Sequence, residues 1–452
     1  MCGISGIVAD GDQQKNIEAM CRMLVHRGPE NTSIYRYENV WLGHNRLRII
    51  DIETGDQPIF NEDGSVGVVF NGEIYNFMEI KADLEEKGHT FKTTSDTEIL
   101  VHLYEEKGIE MFDKLNGIFA FAILDKNRNR IILARDHFGV KPLFYYERGG
   151  KLVFGSEAKA ILTHPDVPRK RNDHATHLLA NLRYVQSEQT LFKDIHHVPP
   201  GSYLVHENGK SKVSRYYEFN PEVQDISFED AKDGIQARLK EAVRRQLISD
   251  VPIGVYLSGG IDSSSLVAMM SELGVDDIRT FTLGFNEPTD EFDSAKMIAD
   301  QFSTNHQTLS LDLDPMKHFP NVIWHSEVPK INLLQGHMMS QFVSKHVKVV
   351  LGGLGGDELF AGYDIHGVFH SLRSLSGTIP KTVEKLIGTP LGKLMSSLQR
   401  KSGIMKWDEY RRGLQTVLAS GNVLRQLLIL RNVWDHEESV LKQIYSKNFI
   451  DK

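Results

Sequence analysis

Short apolar or alternating runs, each bounded by turn-forming residues, fill the first half of the chain. They predict strands at 65–70, 118–124, 130–134, 143–146 and 152–155, and a last one at 202–206 after Pro199-Pro200-Gly201. Helical spacing predicts helices at 16–25 and 77–87, so this half is a sheet-rich region with helices packed on it. Past the loose polar segment 218–225 the period changes. An amphipathic helix at 228–247 leads into a strand at 253–257, a helix, a strand at 280–284, further helices and a strand at 347–351. Strands alternating with helices predict a parallel α/β sheet, with the domain boundary near residue 220. Beyond Tyr363 the pattern is mostly helical.

A chain of 452 residues with 40% hydrophobic and 25% charged positions fits a globular protein of two or three domains. Its net charge of −8 speaks against a nucleic-acid footprint, which would be basic. Cys2 and Cys21 are the two cysteines, too few for a disulfide framework, which points to a reducing, cytoplasmic setting. The opening MCGISGIVADGD lacks the basic-then-apolar order of a secretory signal. The apolar stretch near 118–124 falls far short of the roughly 20 residues that cross a bilayer, so no membrane partner is expected.

Cys2 becomes the terminal residue if Met1 is removed, and Gly3 leaves it sterically open. An α-amino group, with a pKa of about 7.7–8.0 in peptides, would then stand beside the thiol and could take its proton. Thiolate attack on a side-chain amide releases ammonia. Asn71-Gly72 follows the strand ending at Phe70, where an amide side chain and a backbone N–H could hold an oxyanion. Arg46 could clamp a carboxylate with two hydrogen bonds, and Asp96 could take an ammonium. Each feature alone has a plainer reading: a small residue in a first strand, a hairpin turn, two solvated charges.

These residues sit in MCGISGI, HRGPE (26–30), HNRLRIID, FNGEIYN (70–76), SDTEIL, GIFAFAILD and ARDHFGVKPLFYY. In order and spacing, through about residues 2–205, that string resembles the glutaminase domain of class II glutamine amidotransferases. The resemblance implies an α+β N-terminal-nucleophile fold, two sheets layered between helices (αββα), at 2–215. It implies Cys2 as nucleophile and Asn71 and Gly72 as oxyanion hole. Arg46, the backbone around Ile49, Gly72, Glu73 and Asp96 would hold glutamine. Glu30 stands where that family usually has aspartate.

The segment Ser258-Gly259-Gly260-Ile261-Asp262-Ser263-Ser264 lies between an apolar strand and a helix expected to start near Ser263. Two glycines let backbone N–H groups curl round an anion, the helix N-terminus adds positive potential, and the serine hydroxyls add donors. It is not a P-loop, which needs GxxxxGK[ST]. An acid inside a phosphate loop makes sense as a Mg²⁺ ligand, which is the reading given to Asp262; a capped glycine turn is the plainer one. The segment resembles the pyrophosphate loop of ATP pyrophosphatases, and a class II glutaminase followed by this loop resembles the asparagine synthetase family. That implies an α/β ATP-binding domain at 225–452 with a helical, comparatively short carboxyl end. ATP would be held by Leu257, Ser258, Gly259, Gly260, Asp262, Ser263, the backbone of Leu283, and Gly352 and Gly353. Asp262 and Asp357 would ligate Mg²⁺. Taken cold, the glycine-rich segment before Asp357-Glu358 is equally a helix start carrying favourable acids.

Three departures from the family bear on the second half. Leu354 stands where an acidic residue is expected, and Gly352 replaces a serine. In 327–345, where the family shapes its acceptor site, the usual small and hydroxylated run is missing. No Lys-x-Asp-Arg segment follows Asp357. The resemblance implies glutamine, ATP and a carboxylate acceptor as partners, aspartate by default, giving asparagine, glutamate, AMP and pyrophosphate; a homodimer is compatible with it. Two alternatives stand beside this: amidation of a different carboxylate, and a regulatory protein with a degraded synthetase half.

Overall fold

A computed structural model describes residues 1–185, 188–288, 290–312, 314–367, 370, 423–430 and 446–450. The chain opens with β1 (Gly3–Val8), α1 (Gln14–Leu24), β2 (Asn31–Tyr37), β3 (Val40–Arg46), β4 (Ile59–Phe60) and β5 (Val66–Ile74). Next come α2 (Phe77–Glu86), α3 (Ile99–Lys107), β6 (Gly117–Asp125), β7 (Arg130–Arg135), β8 (Phe144–Arg148), β9 (Lys151–Gly155) and α4 (Ala158–Ile161). The first half ends with α5 (Asp173–Leu182), β10 (His196–His197), β11 (Ser202–Glu207) and β12 (Lys210–Arg215).

Twelve strands form two antiparallel sheets, in the orders β10-β8-β9-β1-β3-β2 and β12-β11-β7-β6-β5-β4. Their composition follows from double burial. Along β6, Ala120, Ala122 and Leu124 meet Ile4, Val8 and Leu42 of the other sheet, while Phe119, Phe121 and Ile123 pack towards α2 and α3. A strand covered on both faces needs apolar residues at every position, so GIFAFAILD does not alternate. Each fully buried phenylalanine there contributes about 1.5–3 kcal/mol of transfer free energy. The outer face of the first sheet is closed by α1 and α4 through Ile17, Met20, Leu24 and Ile161. Helices, sheet, sheet and helices thus make the expected αββα layers.

The second half holds α6 (Phe228–Gln246), β13 (Ile253–Tyr256), α7 (Ile261–Glu272), β14 (Arg279–Gly284), α8 (Phe292–Gln301) and β15 (Asn305–Ser310). They are followed by α9 (Pro315–Ser326), α10 (Leu333–Val343), β16 (Val349–Leu351) and α11 (Gly356–Phe360). The sheet is parallel, ordered β15-β14-β13-β16. Its order turns back at β13. Ligands of such sheets bind beyond the strand ends at that switch point, which here is the segment after Tyr256.

Two expectations are corrected. Asn71-Gly72-Glu73 does not lie at a strand end: β5 continues to Ile74, paired with Ala120, Phe119 and Ile118. Asn-Gly is a turn signal only where no neighbouring strand claims the backbone. The helix expected near Ser263 starts at Ile261, which puts Asp262 in its first turn. Strand β1 matches the plainer reading of Cys2 at a first strand, while the pattern of apolar runs predicts no strand at β2, β3, β4, β10, β12 or β15.

By compactness the chain divides into two units, Met1–Asn172 with Gln186–Gly352, and Asp173–Val185 with Gly353–Lys452. The first holds all three sheets. Of the helical carboxyl region, Val423–Leu430 and Lys447–Ile450 are helices, while 371–422 and 431–445 lie outside the described residues. Among the described residues no helix is long and apolar enough to cross a membrane.

Candidate functional site

Cys2 is held at the head of β1 by its neighbours on both sides. Gly3 pairs with Asn45 of β3, and a side chain at Gly3 would meet Leu24 Cβ at 2.9 Å. Arg27 Nε donates to the Cys2 carbonyl at 3.0 Å, and Arg27 is itself fixed by Glu157 at 2.9 Å. Burial pushes the Glu157 carboxyl upward, but His26, Arg27 and Lys159 outweigh it and bring it down to about 2. Cys2 Sγ receives the Leu47 N–H at 3.4 Å and lies 3.7 Å from the Leu47 carbonyl. Burial raises the thiol above its usual value, so it is protonated at neutral pH and needs a base. The same burial lowers the α-amine of Met1 to about 5, leaving an amine neutral beside it.

One cleft at this end of the sandwich is lined by Cys2, Arg46, Ile49, Asn71, Gly72, Glu73 and Asp96, every glutaminase-half residue expected from the sequence. Gln57, Ser95, Thr97 and Lys141 line it too and were missed. Lys141 lies inside a quoted motif; its place depends on Asp136, which accepts the N–H groups of Phe138, Val140 and Lys141 and so curls that loop. No local signal marks Gln57.

The open edge of β5 sets the surroundings of Asn71 and Gly72. Phe119 spends its N–H and C=O on Asp136, so Gly72 and Phe119 form a pair not hydrogen-bonded to each other, and the Gly72 N–H turns away from β6. On that open edge the Phe70 N–H is taken by Gln57 Oε1 at 2.6 Å and the Ile74 N–H by Asp96 Oδ2 at 2.9 Å. Gly72 lies between them and faces the cleft. A Cβ there would sit 2.2 Å from the Ile118 carbonyl oxygen, which restricts the position to glycine. Asn71 is 1% exposed, yet neither its amide nitrogen nor its oxygen has a hydrogen-bond partner. A buried, unpaired amide costs about 1–3 kcal/mol, the mark of a group kept for a ligand.

Charges surround this point. Arg46 is buried and reaches Asp56 at 2.5 Å and the carbonyl of Asp51. Asp96 is buried; burial, reinforced by the Glu73 charge, raises its carboxyl to about 7 against the donation from Ile74. Glu73 is also raised by burial, partly offset by Lys141 and the α-amine. Burial lowers the Lys141 ammonium.

In the second half, Leu257 is buried and its N–H joins the Phe281 carbonyl at 2.9 Å. Gly259 has φ +78°, and a Cβ on it would strike Ser294 at 2.5 Å, so this turn also needs glycine. Ser258 Oγ accepts the Gly260 N–H at 3.2 Å and lies 3.0 Å from Ser263 Oγ. Ser264 Oγ is buried with no partner. First-turn N–H groups of a helix have no partner within it, so α7 presents donors beside Asp262. These groups fit a phosphate chain and its cation. Leu283 has its side chain in the core, leaving only its backbone for a ligand. Gly352 follows β16, Gly353 begins the other unit, and Asp357 lies in α11 with Gly362 donating to its carbonyl at 3.0 Å. Leu354 is 93% exposed.

Glu327 follows α9 and turns to the first half, accepting the Ala158 and Lys159 N–H groups at 2.8 and 2.6 Å. Glu30 accepts the Arg48 N–H at 2.6 Å and pairs with Lys348 at 2.5 Å.

Comparison with known proteins agrees with both halves. Residues 1–217 match the glutamine amidotransferase domain family and residues 234–449 the asparagine synthase family. Asparagine synthetase [glutamine-hydrolyzing] 1 of Bacillus subtilis is 34% identical over 86% of this chain and 62% of its own length. Asparagine synthetase [glutamine-hydrolyzing] 3 of the same organism is 31% identical over 96% of this chain and 75% of its own. An amidase of Penicillium rubens is 32% identical over 80% of this chain and 59% of its own. The chain therefore spans less than two thirds of the length of some of these relatives. Identity at this level across both halves, with three quarters of one relative covered, settles the lineage: the chain belongs to the glutamine-hydrolysing asparagine synthetase family.

Proposed function

We propose that the chain hydrolyses glutamine at Cys2 and passes the ammonia to a carboxylate activated by ATP in the second half. The observation that carries this reading is the buried, unpaired Asn71 amide beside the cleft-facing Gly72 N–H, in one cleft with the Cys2 thiol. Once Met1 is removed, the free amine of Cys2 takes the thiol proton. The sulfur adds to the side-chain carbonyl of glutamine, and Asn71 Nδ2 and the Gly72 N–H receive the developing oxyanion. The amine returns the proton to the departing ammonia, and water then hydrolyses the thioester to glutamate. Arg46 binds the α-carboxylate, while Asp96 and Glu73 bind the α-ammonium.

The 258–264 segment and Asp262 would hold the phosphates of ATP and a Mg²⁺ ion; for Gly352, Gly353 and Asp357 a role towards ATP and Mg²⁺ rests on family membership alone. Bound there, ATP supplies the leaving group that activates the acceptor. Aspartate is the first acceptor to test, on family membership. Leu354 and the amidase relative favour a second reading, a different carboxylate acceptor, because leucine can neither move a proton nor steer ammonia by charge. Pyrophosphate release in the presence of glutamine, ATP and a panel of carboxylic acids tests both. Release with aspartate and formation of asparagine support the first reading. Release with another acid alone supports the second, and no release with any acid refutes both.

A further inference from the structure

Outside the cleft, on the far side of the second sheet, four side chains converge from three places in the chain. Glu62 follows β4, His89 follows α2, and His102 and Glu105 lie three residues apart on one face of α3. One ligand atom from each lies within 4.8 Å of every other. Glu62 approaches His89 Nδ1 at 3.2 Å and His102 Nδ1 at 3.1 Å, and Glu105 approaches His102 Nδ1 at 3.5 Å. A tetrahedral zinc ion with bonds of about 2.0–2.1 Å sets neighbouring ligand atoms roughly 3.3 Å apart.

Both imidazoles are oriented alike. Each turns Nδ1 into the cluster and Nε2 towards a carboxylate outside it: His89 to Glu106 at 3.4 Å, His102 to Glu98 at 3.6 Å. At His89 this is the carboxylate–histidine–metal arrangement, in which the outer acid fixes the tautomer and the ring; at His102 the outer acid stands just beyond hydrogen-bond reach. His102 is fully buried, and neither of its ring nitrogens makes a hydrogen bond: Glu98 stands too far from Nε2, and Glu62 and Glu105 lie near Nδ1 without hydrogen-bond geometry. Leaving both nitrogens unsatisfied is costly; a cation in front of Nδ1 removes that cost at one of them. Four carboxylates around two imidazoles also leave an excess of negative charge, while Lys92 turns its ammonium to the Asn61 carbonyl instead.

We propose that Glu62, His89, His102 and Glu105 bind one divalent cation of the zinc type. Two nitrogen and two oxygen donors suit zinc and disfavour magnesium or calcium, which take oxygen. Exposed Glu62 and Glu105 give the ion a path from solvent. Its role is structural. α3 begins three residues after Asp96, and Glu98 gathers the Lys92 and Thr93 amides at 2.8 and 2.7 Å, so a cation that anchors His102 steadies the turn carrying Asp96.

The test uses the full chain carrying Cys2→Ala, which removes the thiol as a competing ligand. After stripping with a chelator, zinc is titrated by calorimetry and thermal unfolding is followed with and without it. One equivalent should bind with roughly micromolar affinity or better and raise the midpoint. The His89→Gln/Glu105→Gln double variant changes a half-buried and an exposed position, so it should keep the fold by circular dichroism and lose at least about tenfold in affinity. Cobalt in place of zinc should give the intense visible bands of a tetrahedral site in the parent and not in the double variant. Equal zinc affinity in the two proteins, or no binding, overturns the proposal and leaves the cluster as a buried imidazolium held by carboxylates.

Discussion

The Asp250 carboxylate accepts the Asp51 N–H at 2.7 Å, while the Asp250 N–H donates to the Ile49 carbonyl at 3.0 Å. Asp250 lies just before β13, the strand that leads into the 258–264 segment; Leu47 and Arg46, two and three residues before Ile49, line the cleft with Cys2. Lys348, just before β16, adds a contact to the Arg48 carbonyl at 3.5 Å. The segment that shapes the cleft is thus clamped from the feet of two strands of the parallel sheet. Asp51 itself sits at φ +54°, a conformation that needs such support.

Replacing Asp250 with alanine removes the acceptor for the Asp51 N–H and frees this segment. Steady-state glutaminase kinetics should show KM for glutamine raised by about five- to tenfold, with kcat changed by less than about threefold, because binding geometry rather than the oxyanion hole is disturbed. A selective loss of kcat would mean the clamp serves the chemistry instead.

Asp96 gives the cleft a pH dependence. Its carboxyl, raised to about 7 by burial and by Glu73, must be ionised to bind an ammonium, so KM for glutamine should rise as pH falls from 8 to 6. The stability effect has the opposite sense. A raised carboxyl pKa favours the folded state fully below the unfolded value of 3.8, and that contribution is lost as pH rises through 7. Asp96→Asn should therefore raise the thermal midpoint by a few degrees at pH 8 and little at pH 4, while weakening glutamine binding at least about tenfold. Midpoints and KM values at both pH values check this.

Asn71→Ala separates stability from catalysis. Loss of an oxyanion donor should lower glutaminase kcat by about 10²–10³. The variant also deletes a buried amide that has no partner, so the thermal midpoint should hold or rise, unlike an ordinary truncation in a core. A fall in both quantities would mark Asn71 as a structural residue.

Glu327→Ala removes the acceptor of two N–H groups at the start of α4. Denaturant unfolding should show a loss of about 1–3 kcal/mol. Glutaminase activity should also fall, because Glu157, next to Ala158, orients Arg27 and through it Cys2.

The layered core was legible in the sequence where burial is complete. Residues 118–124 are apolar at every position because two layers claim them, and the Leu257–Ser264 segment stood out because strand, glycines and helix start fall in order. Asn71-Gly72 was legible as chemistry but misplaced as a turn, since only the pairing with β6 carries it through the strand. Gln57 could not be found, because its role depends on a single backbone N–H across the sheet edge. β15, with the sequence NHQTLS, is a half-exposed edge strand with too few apolar residues to announce itself. Glu327 sits in a segment read for its departure from the acceptor site, and nothing local tells that its carboxylate caps α4.

The account stands on Cys2 as the nucleophile. Rapid acid quench of the protein during turnover of glutamine labelled in its carbon chain, followed by mass mapping of the amino-terminal peptide, tests it most directly. The account predicts a peptide that begins at Cys2 and carries one γ-glutamyl group on its sulfur, with label and ammonia release both lost in Cys2→Ala. Ammonia release that persists in Cys2→Ala, or turnover with the label never on Cys2, would contradict it.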